Sequence, residues 1–270
     1  MTATSIGRAN ITGVGFWSTR LPDWEFTRAV MRGEAALAEN EQSRPTPALL
    51  APNERRRAPD TVALAIEAAS QACRAANCEP SEVRSVFAST YGDLAISDYL
   101  CATLAATPTL LSPTKFHNSV HNAAAGYWTI GTRSRAAYTA ISAGADTFAA
   151  GLLEAATQLI CDEGPVLYVC YDIETQGPLA TMISSRGLLA AALVLDTATT
   201  QGCTTIDLQV LSGEAIETKL HSTTVANYLR HNALANAIPF FEAIAAGGRQ
   251  AIDLPLGSDC TLRTSLSVSD

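Results

Sequence analysis

Charge is scarce in this chain: Asp, Glu, Lys and Arg make up 16% of its 270 residues, against 47% apolar residues. That balance excludes a disordered polypeptide and implies a globular one with a substantial core, in one large domain or two small ones. Long apolar runs are absent. No stretch reaches the ~18–20 residues that cross a bilayer, which excludes a membrane-spanning helix. The opening Met-Thr-Ala-Thr-Ser-Ile-Gly-Arg has neither the basic start nor the apolar centre of a secretory signal, so a cytoplasmic location is expected. Positive charge is in deficit, 18 basic against 26 acidic residues for a net −8, so general nucleic-acid binding is excluded for want of a basic face. No Cys-x-x-Cys pair occurs, which argues against structural zinc. The seven cysteines (73, 78, 101, 161, 170, 203 and 260) are odd in number and scattered through mostly apolar segments, and are expected to be free and buried. Low-complexity tracts and short-period repeats are missing as well. Neither a metal nor a cofactor is expected.

What is present is an alternation of strand-like and helix-like segments. Residues 6–16 read as a strand ending in a glycine turn, and the Gly13-x-Gly15 pair lacks the third glycine of a dinucleotide-binding turn. Residues 23–38 read as helix, and 39–59, rich in Pro, Arg and Asn, as an exposed excursion. Asp60 is placed as the N-cap of a helix over 60–77, with Val62, Ile66, Ala69 and Cys73 at helical spacing and Pro80 beyond its end. Next come a strand at 83–89, a helix near 94–106, a loop at 107–120 and a helix of small residues. A strand at 137–143, a long helix near 146–161 and a buried strand at 165–171 follow. Strands at 188–195 and 204–211, a helix near 232–246 and two short terminal strands complete the reading. Strands separated by helices imply parallel pairing through crossovers and an α/β layered architecture.

The most informative segment is Ser112-Pro-Thr-Lys-Phe-His-Asn-Ser-Val-His-Asn-Ala-Ala-Ala-Gly-Tyr-Trp-Thr-Ile-Gly131, a polar turn running into a small-residue helix with two bulky aromatics one turn on. It resembles the nucleophile-bearing segment of β-ketoacyl synthases, of the form Cys-x-x-Gly-x-x-x-Ile-Gly. With Gly126 and Ile130-Gly131 in register, Ala123 stands where the cysteine should be. Ile11-Thr-Gly-Val-Gly15 resembles the family's opening strand, and Ser142-Ala-Gly-Ala-Asp-Thr-Phe-Ala-Ala-Gly-Leu-Leu-Glu-Ala155 is a second specific stretch. The resemblance is dense over residues 6–172 and thin beyond. It is to the small ketoacyl-synthase-like chain-length factors found with aryl polyene biosynthesis. It implies an α/β, thiolase-like fold in α-β-α layers, with residues 1–172 as the N-terminal half and 173–270 as an abbreviated C-terminal half on the same layers. It also implies a heterodimer with a catalytic β-ketoacyl synthase, which elongates an acyl chain on acyl carrier protein by decarboxylative condensation with malonyl units. The carrier protein would be a transient partner.

The departures from the catalytic pattern are specific. A condensing enzyme needs a thiolate and two histidines, or a histidine and an asparagine, to stabilise the oxyanion and drive decarboxylation. The Ala123 methyl has no such chemistry. His221-Ser-Thr-Thr224 only faintly echoes the family's His-Gly-Thr-Gly-Thr, and Gly257-Ser-Asp-Cys260 echoes its terminal glycine-rich motif without the histidine. The motif lysine has no convincing counterpart. A non-catalytic subunit follows.

Each candidate residue also has a plain structural reading. His117 and His121, four apart, have metal-ligand spacing but no third ligand, and hydrogen bonding to carbonyls of the 112–122 turn is the plainer role. With Ser119 and Asn122 they form the loop beside the pseudo-active site. Ser119 with either histidine is the alternative, an acyltransferase or hydrolase, for which no acid orients the base. Tyr127, Trp128 and Phe148 are candidates, with Ala123, for an acyl tunnel, since bulky rings limit chain length by steric overlap; core packing is the competing reading. Arg55-Arg56-Arg57 is a candidate docking site for an acidic carrier protein or simply a solvated loop. Cys170 lies in a buried-strand pattern and is read as structural. The strand at 137–143 resembles the region near the twofold contact of thiolase-fold dimers. A stand-alone acyl-binding homodimer is a further alternative.

Overall fold

Residues Val166–Asp172 are buried along their whole length. Successive side chains of a strand point to opposite faces, so such a strand has helices on both sides. The computed structural model describes residues 2–198, 202–213 and 223–268. Its strands are β1 (Thr2–Ser18), β2 (Arg84–Ala88), β3 (Tyr138–Ile141), β4 (Val166–Asp172), β5 (Leu189–Asp196), β6 (Thr204–Ser212), β7 (Gln250–Pro255) and β8 (Cys260–Val268). The helices begin with α1 (Trp24–Met31), α2 (Pro52–Arg57), α3 (Asp60–Ala76), α4 (Leu94–Ala106) and α5 (Pro113–Asn118). They continue with α6 (Ala123–Thr132), α7 (Thr147–Cys161), α8 (Thr224–Leu229) and α9 (Ile238–Ala246).

All the strands join one sheet in the order β3-β2-β4-β5-β1-β6-β8-β7. Parallel pairing holds where it was expected, between β2 and its neighbours β3 and β4. The remaining pairs are antiparallel, which corrects the expectation of a parallel sheet. A parallel neighbour needs a crossover of a dozen or more residues, usually a helix. The segment from β4 to β5 holds only a short 3-10 turn at Pro178–Thr181, and β7 joins β8 as a hairpin.

The two faces have separate cores. On one, Val166, Tyr168 and Cys170 of β4 meet Leu152, Ala155 and Leu159 of α7 and the ring cluster of Phe240 and Phe241 on α9. On the other, Leu167, Val169 and Tyr171 meet α3 and α6.

Gly13 and Gly15 sit inside β1, beside a register shift after Ile11, and not in a turn. A Cβ on Gly15 would stand 2.0 Å from the Ala68 carbonyl oxygen, and one on Gly13 2.2 Å from that of Ala72. The two glycines let the α3 backbone lie directly on the strand, which is their physical role. Gln71 of α3 completes the contact, its Oε1 accepting the Phe16 N–H at 3.1 Å.

Several boundaries differ from the sequence reading. The first helix stops at Met31, started by Asp23, whose carboxylate accepts the Phe26 N–H at 2.8 Å. Pro59, not Asp60, is the N-cap of α3, and Asp60 instead pairs with Arg44 at 3.4 Å. The excursion at 39–59 contains α2, and the loop at 107–120 contains α5. All seven cysteines are free, but Cys101 and Cys161 are exposed, each on a helix face that no described residue covers, and Cys78 and Cys260 are only half-buried.

Asp172 closes β4 as a buried clasp. Its carboxylate accepts the Ser89 hydroxyl at 3.0 Å and the N–H groups of Thr90 and Tyr91 at 2.9 and 3.1 Å. The turn from β2 into α4 is thereby held to the sheet. Burial outweighs these bonds and raises the carboxyl above its ordinary pKa of 3.8. The folded chain therefore binds this proton more tightly than the unfolded chain does. The resulting stabilisation is present below pH 3.8 and is lost as pH rises through the raised value.

Two predictions follow from this packing. Gly15→Ala should lower unfolding free energy by about 3 kcal/mol or more, since backbone must move. Gly126→Ala, whose added methyl meets nothing within 4 Å, should raise it by about 0.5–1 kcal/mol; urea titration reporting equal effects at both sites would refute the contact. Asp172→Ala should cost on the order of 3 kcal/mol at neutral pH by orphaning two buried N–H groups. Measured against Asp172→Asn from pH 3.8 upward, the wild type should lose stability through the raised pKa, and parallel profiles would count against it.

Candidate functional site

Helix α6 opens at Ala123, whose N–H bonds the Val120 carbonyl at 3.0 Å. Asn122 occupies the N-cap position without capping through its side chain, which donates instead to the Tyr138 hydroxyl at 3.0 Å. Ala123 borders a cleft of ≈ 190 Å³ together with Thr61, Gly92, Asp93, Ser119 and His121. Asp93 is the N-cap of α4, accepting the Ile96 N–H at 3.0 Å, and burial raises its carboxyl pKa.

The polar residues around this cleft are already engaged. His121 Nε2 donates to the Ile141 carbonyl at 3.0 Å, which puts the proton on that nitrogen. The acceptor belongs to β3, not to the 112–122 turn. The Ser119 hydroxyl donates to the Phe116 carbonyl at 2.8 Å. His117 lies on α5, exposed, its ring edge-on to Tyr127 at 6.4 Å. Because α5 ends at Asn118, His117 and His121 do not share a helix face. Among the described residues no group of three or more His, Cys, Asp and Glu is placed to hold a metal ion.

Tyr127 and Trp128 point from α6 into the core beneath α3. The Tyr127 hydroxyl donates to Asn118 Oδ1 at 3.2 Å, and Asn118 in turn donates to the Arg57 carbonyl at 3.1 Å. Burial raises the Tyr127 pKa. Trp128, 1% exposed, packs on Phe87 with ring centroids 6.4 Å apart. Its indole N–H has no hydrogen-bond partner among the described residues. Trp128 also borders a second cleft, of ≈ 540 Å³, with Leu49, Ser70 and Cys73. Helix α6 thus separates two clefts, with Ala123 at one and Trp128 at the other.

Phe148 does not join them. It lies on α7, on the opposite face of the sheet, 5.7 Å from Tyr168 and 5.5 and 5.9 Å from Phe240 and Phe241. The β-sheet stands between this ring and Ala123, so the four expected tunnel residues do not line one passage. Alternation along β4 makes the separation, since Tyr168 and Val169 face opposite ways.

Arg55, Arg56 and Arg57 form the last turn of α2. Arg55 turns inward and donates to the Leu50 carbonyl at 2.8 Å, whereas Arg56 donates to the Asn53 side chain. Arg56 and Arg57 border an open cleft of ≈ 500 Å³ with Asp60 and Lys115. That cleft shares Asp93 and Asn118 with the one at Ala123, so a basic rim leads to the α6 N-terminus. Asp93 and Asn118 were not singled out from sequence. Asp93 carries a readable signal, a capping residue just before an apolar helix. Asn118 carries none, because its role arises where α2, α5 and α6 meet.

His221 lies outside the described residues. Thr223 caps α8, accepting the Ala226 N–H at 3.1 Å. Gly257 sits in the β7–β8 turn, its N–H bonded to Asp146 at 2.8 Å. Helix α4 is apolar, yet Ile96 is its one buried residue. Leu104, Leu110 and Phe116 on and beside it are 54, 70 and 61% exposed. No helix among the described residues is long and apolar enough to cross a membrane.

No curated protein is similar to the chain in sequence. Among solved structures, a ketosynthase (ApeO) in complex with its chain length factor (ApeC) from Xenorhabdus doucetiae matches with TM-score 0.72 and 23% identity, over 95% of this chain and 98% of that one. The ishigamide ketosynthase/chain length factor matches with TM-score 0.69 and 12% identity, over 98% and 100%. A beta-ketoacyl synthase from Burkholderia phymatum matches with TM-score 0.59 and 15% identity, over 84% and 70%. The fold is therefore the thiolase-like fold of ketosynthases, in a shorter chain than a full synthase. The beta-ketoacyl synthase N-terminal domain matches residues 29–251, well over half of the sequence, and the chain belongs to that family.

Proposed function

We propose that the chain is a non-catalytic, chain-length-factor-like subunit acting in the cytoplasm, paired with an active β-ketoacyl synthase whose acyl tunnel it shapes. The observation that carries this reading is Ala123 at the start of α6. A cleft is formed there, and the residue facing it has no nucleophile. Neither the engaged Ser119 hydroxyl nor His121 supplies one, so the hydrolase reading has no support from the site geometry.

Pairing is supported by the exposed apolar side chains of Leu104, Leu110 and Phe116 on and beside α4. The edge strand β3 lies at the end of the sheet on the same side of the fold as the Ala123 cleft, tied to it through His121 and Asn122. The solved relatives include synthases bound to chain length factors and, in one complex, to an acyl-carrier protein. In this reading residues 1–172 are the synthase-like half and 173–270 an abbreviated second half completing the sheet. Ala123 faces the acyl chain, Tyr127 and Trp128 back the helix that carries it from the core beneath α3, and Phe148 serves the opposite core. The basic rim of Arg56 and Arg57 attracts the acidic carrier protein.

Co-expressed with its partner synthase, the chain should co-purify as a heterodimer, and only the pair should condense malonyl units onto an acyl carrier protein. Alone it should take up no acyl thioester, and a trapped acyl-enzyme on the isolated chain would refute the proposal. Ala123→Leu, which fills the cleft, should leave the heterodimer intact and shorten its products by mass spectrometry. Unchanged product length would reject the tunnel role while leaving the pairing standing.

A further inference from the structure

Helix α3 ends in a full Schellman turn. Asn77 takes the left-handed conformation, with φ 51°. Its N–H bonds the Arg74 carbonyl at 3.2 Å, and the Cys78 N–H bonds the Cys73 carbonyl at 3.1 Å. This closure lays the side chain after the left-handed residue onto the one five positions earlier, a contact usually made by two apolar groups. Here both positions are cysteine. The Cys78 thiol donates to the Cys73 carbonyl, its Sγ 3.7 Å away, which holds the two side chains at the same end of the helix. Both border the cleft between α3 and α6, beside Arg74 and Trp128. Cys78 is half-buried and reachable from that cleft, whereas Cys73 is buried behind it.

We propose that Cys73 and Cys78 are a peroxide-sensitive thiol pair that closes to a disulfide across the end of α3. Cys78 is the attacking thiol. The neighbouring Cys73 side chain lowers its pKa against the opposing effect of partial burial. Cys73 stays protonated, its pKa raised by the adjacent Cys78 and by burial, until a sulfenic acid faces it. In the first step the Cys78 thiolate attacks a peroxide oxygen and the O–O bond breaks. Sulfenic acid forms, and the departing hydroxide takes the thiol proton as water. In the second step Cys73 attacks the Cys78 sulfur, the S–S bond forms, the S–O bond breaks and a second water leaves. Two thiols have lost two hydrogens, and one hydrogen peroxide has been reduced to two waters.

The other cysteines offer no equivalent. Cys170 is buried with its thiol on the Ala191 carbonyl at 3.5 Å, and burial pushes its pKa up to about 12. Cys101 and Cys161 are exposed on separate helices.

The test uses the full chain carrying Cys101→Ser and Cys161→Ser, exposed to stoichiometric hydrogen peroxide, alkylated and digested with trypsin. Cleavage after Arg74 separates the two cysteines, so only a disulfide keeps their peptides together. The expected product is that linked pair, two hydrogens lighter than the reduced peptides and released by dithiothreitol. Cys73→Ser should stop at a sulfenic acid on Cys78 that dimedone traps. Cys78→Ser should slow peroxide consumption by roughly tenfold or more. Full alkylation of both thiols after peroxide, sulfinic acid on Cys78 beside a free Cys73, or a Cys78 link between two molecules would each overturn the proposal.

Discussion

Two missing side chains set the distance between α3 and the sheet, and most of the molecule is built outward from that contact. Gly13 and Gly15 leave the Ala72 and Ala68 carbonyls room to sit against β1. A helix seated so low buries ten of its 17 residues, all between Thr61 and Cys73, which suits its run of alanines: small residues fill a narrow gap without strain. With α3 in place, α6 packs beside it through Ala124, Ala125, Tyr127 and Trp128. Ala123 is then left at the rim, where the helix begins. The position of Ala123 at the mouth of its cleft is thus a consequence of how closely one helix meets one strand.

Polar groups in the interior act as locators. Asp172 ties the turn at 89–92 to the end of β4, and that turn leads directly into the Asp93 cap of α4 and one wall of the Ala123 cleft. Asn118 joins the α2 backbone to the Tyr127 hydroxyl. A buried polar group that loses its partner costs more than the bond contributes, so each fixes a single arrangement of the loops it connects. The cleft is small and rigidly framed for this reason. The Ser119 hydroxyl and the His121 imidazole beside it bond backbone carbonyls.

Apolar surface is distributed unevenly. One half of the sheet, from β5 to β7, belongs to a covered core with α8 and α9. Around β3 and α4 the chain leaves apolar side chains in water and a strand edge unpaired with any described residue. A fold that has kept a tight interior while leaving this region open is suited to being completed by another subunit.

Element types were largely legible in the sequence, because helix and strand periodicity are local properties of side-chain spacing. The helix at 94–106 and the strands near 84, 166, 189 and 204 lie where apolar patterning puts them. Pairing direction was not legible, since it depends on which strands meet after the chain turns back. Phe148 reads the same as Trp128 in sequence, a ring among small residues. Only the alternation of β4 beneath them sends one to each face of the sheet. Asn118, Asp172 and the pairing of Cys73 with Cys78 likewise owe their roles to partners brought near by folding. The sequence by itself determined the elements and the alanine that opens α6; the tertiary structure alone decided which residues share a cleft, because contact across a sheet or between helices is set by packing that no local pattern records.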